Sequence, residues 1–575
     1  MNRDSGAPVH DFVIVNARIC DGLGSALKPG SLAVKDGRIS AIGDEVGDEV
    51  GRGREQIDAG GLVLAPGIID THTHYDAQVT WDPTLRPSPA LGVTTVVMGN
   101  CGFTIAPCRA ADRELTMRNL VRVEGMSLDA MQEGIQWRFE SFPEYMDMIA
   151  EAGVVPNLAA FVGHSSVRTY VLGEDAPRRA ATAAEIDRMC AIVRGAMQAG
   201  AIGFATSTSP SHNGASGDPM PSRLADDDEL RALVGVLGEV GRGIFMLTKG
   251  GGTSIAFLES LAAETARPVM VAALLHNSTN PDGVFAELDQ ISAGRERGHK
   301  LYGQVSCCPL TMEFTLRAPY PLEGIGAWAP ALTAAPDEVA GILADTGFRD
   351  AVERDLSEPA SVRLFNGEWH KLRVLEVANA QNRRFEGRSV AEIAAEEGKR
   401  PLDWMLDLAL AEDLRTTFIA VLLNSDESAV ARLINHPASA VALSDAGAHL
   451  SFFCDAGFGL HLLGYWVRER QAMSLGEGVR RLTSEPADIY GIRDRGRLSV
   501  GAHADLLLFD PECVGRGPSR REFDLPAGAA RLTTDAIGVH GVWVNGTRVV
   551  DENGQQGDGR GSGQKPGQLL REFTS

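Results

Sequence analysis

Eight short apolar segments alternate with helical patterns through the middle of the chain, and this alternation limits the possible folds more than any other feature. Short, mostly apolar segments are typical of parallel strands that are covered on both faces. A strand and a helix repeated eight times predict an α/β chain folded as a (β/α)8 TIM barrel. The segments are 67–70, 93–98, 157–162, 201–205, 243–247, 269–275, 301–305 and 439–443, and 418–423 is either a ninth strand or a helix.

Both ends of the chain have a different pattern from the middle. Residues 11–18 alternate apolar and polar side chains, as a half-buried strand does, and 31–43 predict a hairpin. Short strand patterns return near the C-terminus. We therefore predict a small β-sandwich domain built from both chain termini. The predicted domains are 1–65 for the N-terminal part of the sandwich, 66–495 for the barrel with an insertion around 310–400, and 496–575 for the C-terminal part and tail.

Charge and cysteine content narrow the classes of function. The chain has 54 Lys and Arg against 76 Asp and Glu, a net charge of −22, which argues against a nucleic-acid or anionic-membrane partner. Its eight cysteines are scattered and do not form the pattern of a disulfide scaffold. No apolar run approaches the roughly 20 residues of a bilayer span, and the first residues lack the apolar part of a secretion signal. We expect a cytoplasmic protein.

Polar side chains follow several of the predicted barrel strands, at the end where a barrel keeps its active site. His72 and His74 follow the first strand, and their side chains share a face because they are two residues apart. Two imidazoles so placed can bind one zinc ion. Taken alone, each such residue also has a structural explanation, such as a buried thiol or a helix cap. The further strand-end residues are Cys101, Lys249, His276 and Asp445.

Several motifs resemble those of one known family. Residues 61–75 (GLVLAPGIIDTHTHY), preceded by a β-layer, resemble the entry to the barrel in the metal-dependent amidohydrolase superfamily. The motifs at 99–102 (GNCG), 163–168 (GHSSVR) and 444–449 (SDAGAH) are similar to those of its N-acyl-D-amino-acid deacylase, or D-aminoacylase, branch. The resemblance extends over nearly the whole chain.

The resemblance implies a zinc-dependent amidohydrolase that cleaves the C–N amide bond of an N-acyl amino acid or a related small-molecule amide with metal-activated water. It implies that Asp445 is the catalytic base. His164 or His449 could add a hydrogen bond donor for the developing oxyanion, and we expect Arg168 and Ser278 to contact the substrate. The implied zinc ligands are His72, His74, Cys101, His276 and Asp445.

The chain departs from the branch at two positions. Lys249 stands where the branch carries a metal-binding histidine on the fifth strand. A single tightly bound zinc ion with Lys249 near it is the interpretation that we favour. The alternatives are two ions bridged by a carboxylated Lys249, or a Lys249 that contacts substrate. Ser278 stands where the deacylases place a basic contact to the substrate carboxylate, so a D-amino-acid product does not carry over.

Two other functions remain open at this point. A cyclic-amide hydrolase similar to hydantoinases would have a carboxylated lysine on the fourth strand, and 203–207 contains no lysine. A barrel that has lost its metal would act only as a binding protein. Members of the superfamily often assemble, so a homo-oligomer is a further option.

Overall fold

The computed structural model describes residues 9–43, 50–215, 217–358, 363–448, 455–551 and 564–574. Within them, parallel strands lie side by side in the order of the sequence, and each of the eight predicted segments contributes one. Most of their side chains are buried, as expected for strands covered on both faces. Numbered one to eight in chain order, the barrel strands are Ile68–Thr73, Val93–Met98, Asn157–Gly163, Gly203–Ser207, Ile244–Thr248, Val269–Ala272, Leu301–Val305 and Ser439–Val441.

Hydrogen bonds between barrel strands one and eight close this sheet. The Asp445 N–H donates to the His72 carbonyl oxygen at 3.2 Å, and the His74 N–H donates to the Ala446 carbonyl oxygen at 2.8 Å. The α/β barrel predicted from the sequence is therefore confirmed. Because the closure lies at the carboxyl ends of both strands, it brings Asp445 next to the two histidines.

Helices cover the outside of the barrel. The helix Ala183–Gln198 begins with a capping box, in which the Thr182 side chain and the Glu185 side chain each accept the other's backbone N–H. Among the described residues, no helix is both long enough and apolar enough to cross a membrane. The other α-helices of this region are Arg113–Val123, Leu128–Gly134, Phe142–Ala152, His164–Leu172, Asp227–Val240, Ile255–Thr265, Gly283–Glu296, Glu427–Ile434, Phe458–His461, Leu475–Leu482 and Ser484–Tyr490, with a π-helix at Leu462–Glu469.

A second hydrophobic core lies between barrel strands seven and eight, within 314–422. Segment 418–423, which the sequence left open, contributes the central strand of a three-stranded antiparallel sheet there. The domain boundaries given above stay a prediction. The strands of this insertion are Thr311–Phe314, Leu372–Glu376 and Thr417–Val421, and its α-helices are Ala329–Thr333, Val339–Ala344, Thr346–Leu356, Val390–Glu397 and Pro401–Ala411.

Strands from both ends of the chain share one further sheet. Leu506–Phe509 pairs on one side with Val63–Pro66 and on the other with Val539–Val544. The two termini therefore build one small β domain, as predicted. Its other strands are Val9–Ile19, Lys28–Lys35, Arg38–Gly43, Arg52–Asp58 and Thr547–Val550, and two short pairs nearby are Gly515–Arg516 with Ala536–Ile537 and Arg520–Glu522 with Arg531–Thr533.

A buried ion pair joins the β domain to the barrel. The Arg495 guanidinium donates to the Asp505 carboxylate, and the two side chains are only 2% and 3% exposed. The same carboxylate accepts from Asn157 Nδ2 of barrel strand three at 3.1 Å and from the Asn545 N–H at 2.8 Å. Removal of this carboxylate charge would leave the buried guanidinium with only the neutral acceptors Asn545 Oδ1 and Gln568 Oε1.

We expect Asp505→Asn to lower the free energy of unfolding by about 3–5 kcal/mol, because the buried Arg495 loses its counter-charge. Urea denaturation followed by circular dichroism measures the loss. Asp494→Asn is the matched control, since Asp494 pairs with Arg38 at the surface and its side chain is 64% exposed. There the expected change is below about 1 kcal/mol. Equal losses in the two variants would contradict the role given to Asp505.

Candidate metal centre

The carboxyl ends of several barrel strands meet around one small cavity. Its volume is about 80 Å³, the space of a few water molecules. Residues from strands and loops that are far apart in the sequence face it. The polar ones that matter below are His72, His74, Cys101, Glu124, His212, Thr248 and Asp445.

Two imidazoles, a thiol group and a carboxylate face the cavity at the spacing expected around one metal ion. The ligand atoms of His72, His74 and Cys101 all lie within 4.8 Å of one another. Cys101 Sγ is 3.6 Å from His72 Nε2, and Asp445 Oδ1 is 3.2 Å and 3.5 Å from Nε2 of His72 and of His74. With Zn–N near 2.0 Å and Zn–S near 2.3 Å, a tetrahedral zinc ion holds such donors about 3.3–3.6 Å apart. These residues therefore fit zinc in both chemistry and spacing.

A buried oxygen atom lies close to the outer nitrogen of each imidazole. His72 Nδ1 donates to Gln304 Oε1 on barrel strand seven at 2.6 Å, which fixes the tautomer in which Nε2 is the metal ligand. His74 Nδ1 lies 3.0 Å from Glu124 Oε1, directly after the helix Arg113–Val123, in a close contact without hydrogen-bond geometry. An acidic neighbour of this kind is common beside metal-binding histidines.

The charges around the cavity favour a cation. Burial raises the pKa of the Cys101 thiol, but the imidazoles of His72 and His74 outweigh this and bring the pKa below its usual value. Burial lowers the pKa of His74, but the carboxylates of Glu124 and Asp445 help to hold it well above its usual value. Cys101 and the carboxyl groups of Glu124 and Asp445 thus surround the two imidazoles, and these donors together suit a divalent cation.

Tight turns place Cys101 and Asp445 at the cavity. Their φ angles are 56° and 48°, in the left-handed region that residues other than glycine rarely adopt. A Cβ atom on Gly102 would lie 2.6 Å from the Ala205 carbonyl oxygen on barrel strand four. The turn can approach this strand only because position 102 is glycine, which accounts for one glycine of the 99–102 motif.

Barrel strand five presents Thr248 to the cavity, where the sequence analysis placed Lys249. Thr248 Oγ1 is 3.0 Å from Cys101 Sγ. Neighbouring side chains on a strand point in opposite directions, so Lys249 turns away, and its Nζ lies 2.8 Å from Glu287 Oε1. Lys249 is therefore not among the residues that line the cavity, and its predicted role near the metal stays a prediction.

His276 is likewise not brought to the metal ligands. Barrel strand six ends at Ala272, and Ala273 is the residue of this segment that lines the cavity. The backbone of His276 is fixed instead by Asn424, through hydrogen bonds of 2.8 Å and 2.9 Å. Its ring lies near Phe285, with the ring centroids 6.5 Å apart. The predicted ligand thus lies where the barrel meets the end of the insertion.

His164 and Arg168 lie in a fully buried polar cluster rather than at the cavity. His164 Nδ1 is 2.7 Å from Thr206 Oγ1, and its Nε2 is 2.8 Å from Glu229 Oε1. Arg168 donates to the same Glu229 carboxylate at 2.6 Å. The cluster links the helices His164–Leu172 and Asp227–Val240. The structure thus does not bring His164 and Arg168 to the metal ligands, and their catalytic and substrate-binding roles stay predictions.

Ser278 contacts the insertion. Its hydroxyl donates to Glu368 Oε1 at 3.0 Å and accepts from Lys371 Nζ at 2.8 Å. The hydroxyl that we expected at the substrate is thus used between barrel and insertion. His449 lies outside the described residues, and its role stays a prediction.

The sequence analysis missed three residues of the centre. Glu124 and Gln304 lie against the imidazoles, and His212 contributes a further ring to the cavity wall. They come from the end of a helix, the middle of a strand and a loop, and no spacing in the sequence connects them with His72 and His74. For His212, the sequence offers one signal: a histidine that lies in the serine-rich loop directly after a predicted barrel strand.

Comparisons with known proteins agree with this geometry. A family model described as amidohydrolase family matches residues 55–302 and 364–550. The N-acyl-D-aspartate deacylase of Alcaligenes xylosoxydans xylosoxydans is 29% identical over 567 residues, which are 97% of this chain and 95% of the relative. An uncharacterised protein of Mycobacterium tuberculosis H37Rv is 30% identical, over 98% of this chain and 96% of its own.

Solved structures of deacylases share the whole fold. One is the N-acyl-D-glutamate deacylase of Bordetella bronchiseptica, complexed with zinc and with a phosphonate inhibitor that mimics the tetrahedral intermediate of its reaction. It is 27% identical, has a TM-score of 0.65 and matches 98% of this chain and 100% of its own. The family expected from the motifs is confirmed: the chain belongs to the amidohydrolase family, as a D-aminoacylase-like member whose His72, His74 and Cys101 could hold a metal ion.

Proposed function

We propose that this protein hydrolyses the C–N amide bond of an N-acyl amino acid or a related small-molecule amide, with zinc as its cofactor. The observation that carries the proposal is the pair of imidazoles whose outer nitrogens lie 2.6 Å from Gln304 Oε1 and 3.0 Å from Glu124 Oε1, while both Nε2 atoms approach Asp445 Oδ1. The deacylase activities of the relatives, and the zinc and phosphonate in one of their structures, support this reaction class.

The bound ion and the protein would divide the reaction between them. A zinc ion held by His72, His74, Cys101 and Asp445 would supply a Lewis acid that polarises the amide carbonyl and lowers the pKa of water. Asp445 takes a proton from the attacking water as that oxygen bonds to the carbonyl carbon. It then returns the proton to the amide nitrogen as the C–N bond breaks. The products are a carboxylic acid and an amine.

Asp445 is well placed for this proton transfer. Its N–H is hydrogen-bonded to the His72 carbonyl oxygen across the closure of the barrel, and its own carbonyl oxygen accepts from the Ala448 N–H at 2.9 Å. The Asp445 backbone is therefore fixed relative to His72 before any substrate binds. Fixed geometry of this kind removes part of the entropic cost of the reaction.

We propose a single tightly bound ion rather than two. Strands five and six present Thr248 and Ala273 to the cavity, and neither side chain is a usual zinc ligand. Over the described residues, one group of three His, Cys or acidic side chains has metal-binding spacing. Because a thiolate ligand is most secure under reducing conditions, we also propose a cytoplasmic location.

Replacement of the proposed proton carrier should stop turnover. We expect Asp445→Asn to lower kcat at least about 100-fold, because an amide cannot accept the proton, while most of the zinc stays bound. Hydrolysis of a panel of N-acyl amino acids and elemental analysis of the same samples measure both. Asp426→Asn is the control, since Asp426 caps the helix Glu427–Ile434 and asparagine caps equally well. Full activity of Asp445→Asn would refute the assigned role.

Removal of the ion should remove activity. Dialysis against a strong chelator is expected to withdraw zinc and hydrolysis together, and added zinc should restore both. Cys101→Ala should lower the zinc content, whereas Cys190→Ala, on the outer helix Ala183–Gln198, should leave it unchanged. Hydrolysis that persists in protein shown to be free of zinc would contradict the mechanism.

The partner of His74 should tune zinc affinity. We expect Glu124→Gln to raise the dissociation constant for zinc about 10-fold or more, because the imidazole loses its anionic partner. Competition with a fluorescent chelator measures the constant. Glu114→Gln is the matched control, since Glu114 begins the helix that leads to Glu124 and pairs with Arg118 at the surface. If the two variants bind zinc equally well, Glu124 does not support the centre.

A further inference from the structure

We propose that the substrate of this protein carries a long apolar acyl group, of about eight carbon atoms or more, which binds in a large cavity beside the metal centre. The inference rests on the proposed function and names the part of the amide that determines its specificity. The cavity has a volume of about 960 Å³ and lies where the barrel, the insertion and the strand pair Arg520–Glu522 and Arg531–Thr533 meet. Pockets of roughly 300–1000 Å³ hold whole drug-sized ligands.

One short segment borders both the large cavity and the metal cavity. Val123 and Glu124 line the metal cavity, whereas Gly125 and Met126 line the large one. Consecutive Cα atoms are only about 3.8 Å apart. A substrate whose amide lies at the metal therefore needs to extend over only this segment to reach the large cavity.

A second contact brings the two spaces together on the side of Asp445. Leu532 lines the large cavity and also a narrow gap whose wall includes Asp445. Asp445 in turn lines the metal cavity. The large cavity therefore borders the surroundings of the proposed proton carrier from two directions.

The metal cavity itself is too small for a long acyl group. Its volume of about 80 Å³ is enough for the reacting amide and little more. A neighbouring space, which shares Ala273, Leu443 and Asp445 with it, adds only about 30 Å³. Of these three spaces, only the large cavity can hold a chain of several methylene groups.

The charges of the large cavity disfavour the carboxylate of the amino acid. Both arginines of the lining are already paired with carboxylates. Arg521 donates to Glu313 Oε2 at 2.6 Å, and Arg520 donates to both carboxylate oxygens of Asp535, at 2.7 Å and 3.0 Å. Glu376 adds a further carboxyl group to the lining. A substrate carboxylate would be repelled there, whereas an acyl chain has no charge.

Apolar side chains from three parts of the fold line the same cavity. Leu375 of the insertion is 38% exposed there, so a bound chain would remove its surface from water. Each methylene group that is buried improves affinity by a factor of about three to four. The apolar side chains that would contact the chain are Val121, Met126, Phe314, Leu375, Ala530 and Leu532.

The first test is a series of N-acetyl, N-butanoyl, N-hexanoyl and N-octanoyl derivatives of one amino acid that the wild type accepts. We expect kcat/KM to rise with chain length, at least about 100-fold from acetyl to octanoyl, because the added methylene groups leave water. Comparison within one series keeps the amine product constant, so the acyl group alone accounts for the change.

Variants of the lining locate the chain. Leu375→Asp should lower the octanoyl-to-acetyl ratio of kcat/KM about tenfold or more, because a carboxylate then faces the chain. Ala530→Trp, which fills the cavity without adding charge, should lower the ratio as well. Leu23→Asp is the matched control and should leave the ratio unchanged, since Leu23 is 55% exposed and lies outside this lining.

A binding measurement separates affinity from turnover. By titration calorimetry, zinc-loaded Asp445→Asn should bind the N-octanoyl derivative at least about 100-fold more tightly than the N-acetyl derivative. Addition of Leu375→Asp to this variant should reduce the difference about tenfold or more.

Two results would overturn the inference and leave the proposed function intact. The first is a wild-type kcat/KM for the octanoyl derivative within about twofold of that for the acetyl derivative. The second is an octanoyl-to-acetyl ratio that is the same in the wild type, Leu375→Asp and Ala530→Trp, which would place the chain outside this cavity. A wild-type protein that binds zinc but hydrolyses none of the derivatives would refute the proposed function and this inference together.

Discussion

The chemistry proposed for this protein depends on two imidazole rings whose outer nitrogens each lie against a buried oxygen atom. Gln304 reaches His72 from barrel strand seven, and Glu124 reaches His74 from the end of a helix. The direction of each Nε2 therefore depends on parts of the chain that meet only when the barrel has closed. The candidate metal centre is a product of the tertiary fold, although His72 lies in barrel strand one and His74 directly follows it.

The barrel and the core of its site could be predicted from the sequence because both depend on short-range patterns. Buried parallel strands are visible as apolar runs, and His72, His74 and Cys101 directly follow such runs. The sequence could not show which way the Lys249 side chain points, because a strand that is buried on both sides has no alternation of polar and apolar residues. Thr248 takes the inward position instead. His276 was misplaced because the run 269–275 continues three residues beyond the end of its strand.

The 163–168 motif packs against the turn that carries Cys101. A Cβ atom on Gly163 would lie 2.7 Å from the Gly102 carbonyl oxygen, so this segment packs directly against the turn that carries Cys101. Thr104, just after that turn, donates from Oγ1 to Ser166 Oγ at 2.8 Å. The motif thus accompanies the metal centre because it holds the cysteine turn in place. Sequence comparison alone does not distinguish such support from catalysis.

The left-handed backbone of Cys101 and Asp445 has a consequence for how this barrel can change. Conformations of this kind are unfavourable by roughly 1–3 kcal/mol for residues with a side chain. Glycine would relieve the strain at either position, but it would also delete a thiolate or a carboxylate from the centre. Selection for heat resistance therefore has little to gain at these two positions, and stabilising substitutions are better sought on the outer helices and in the β domain.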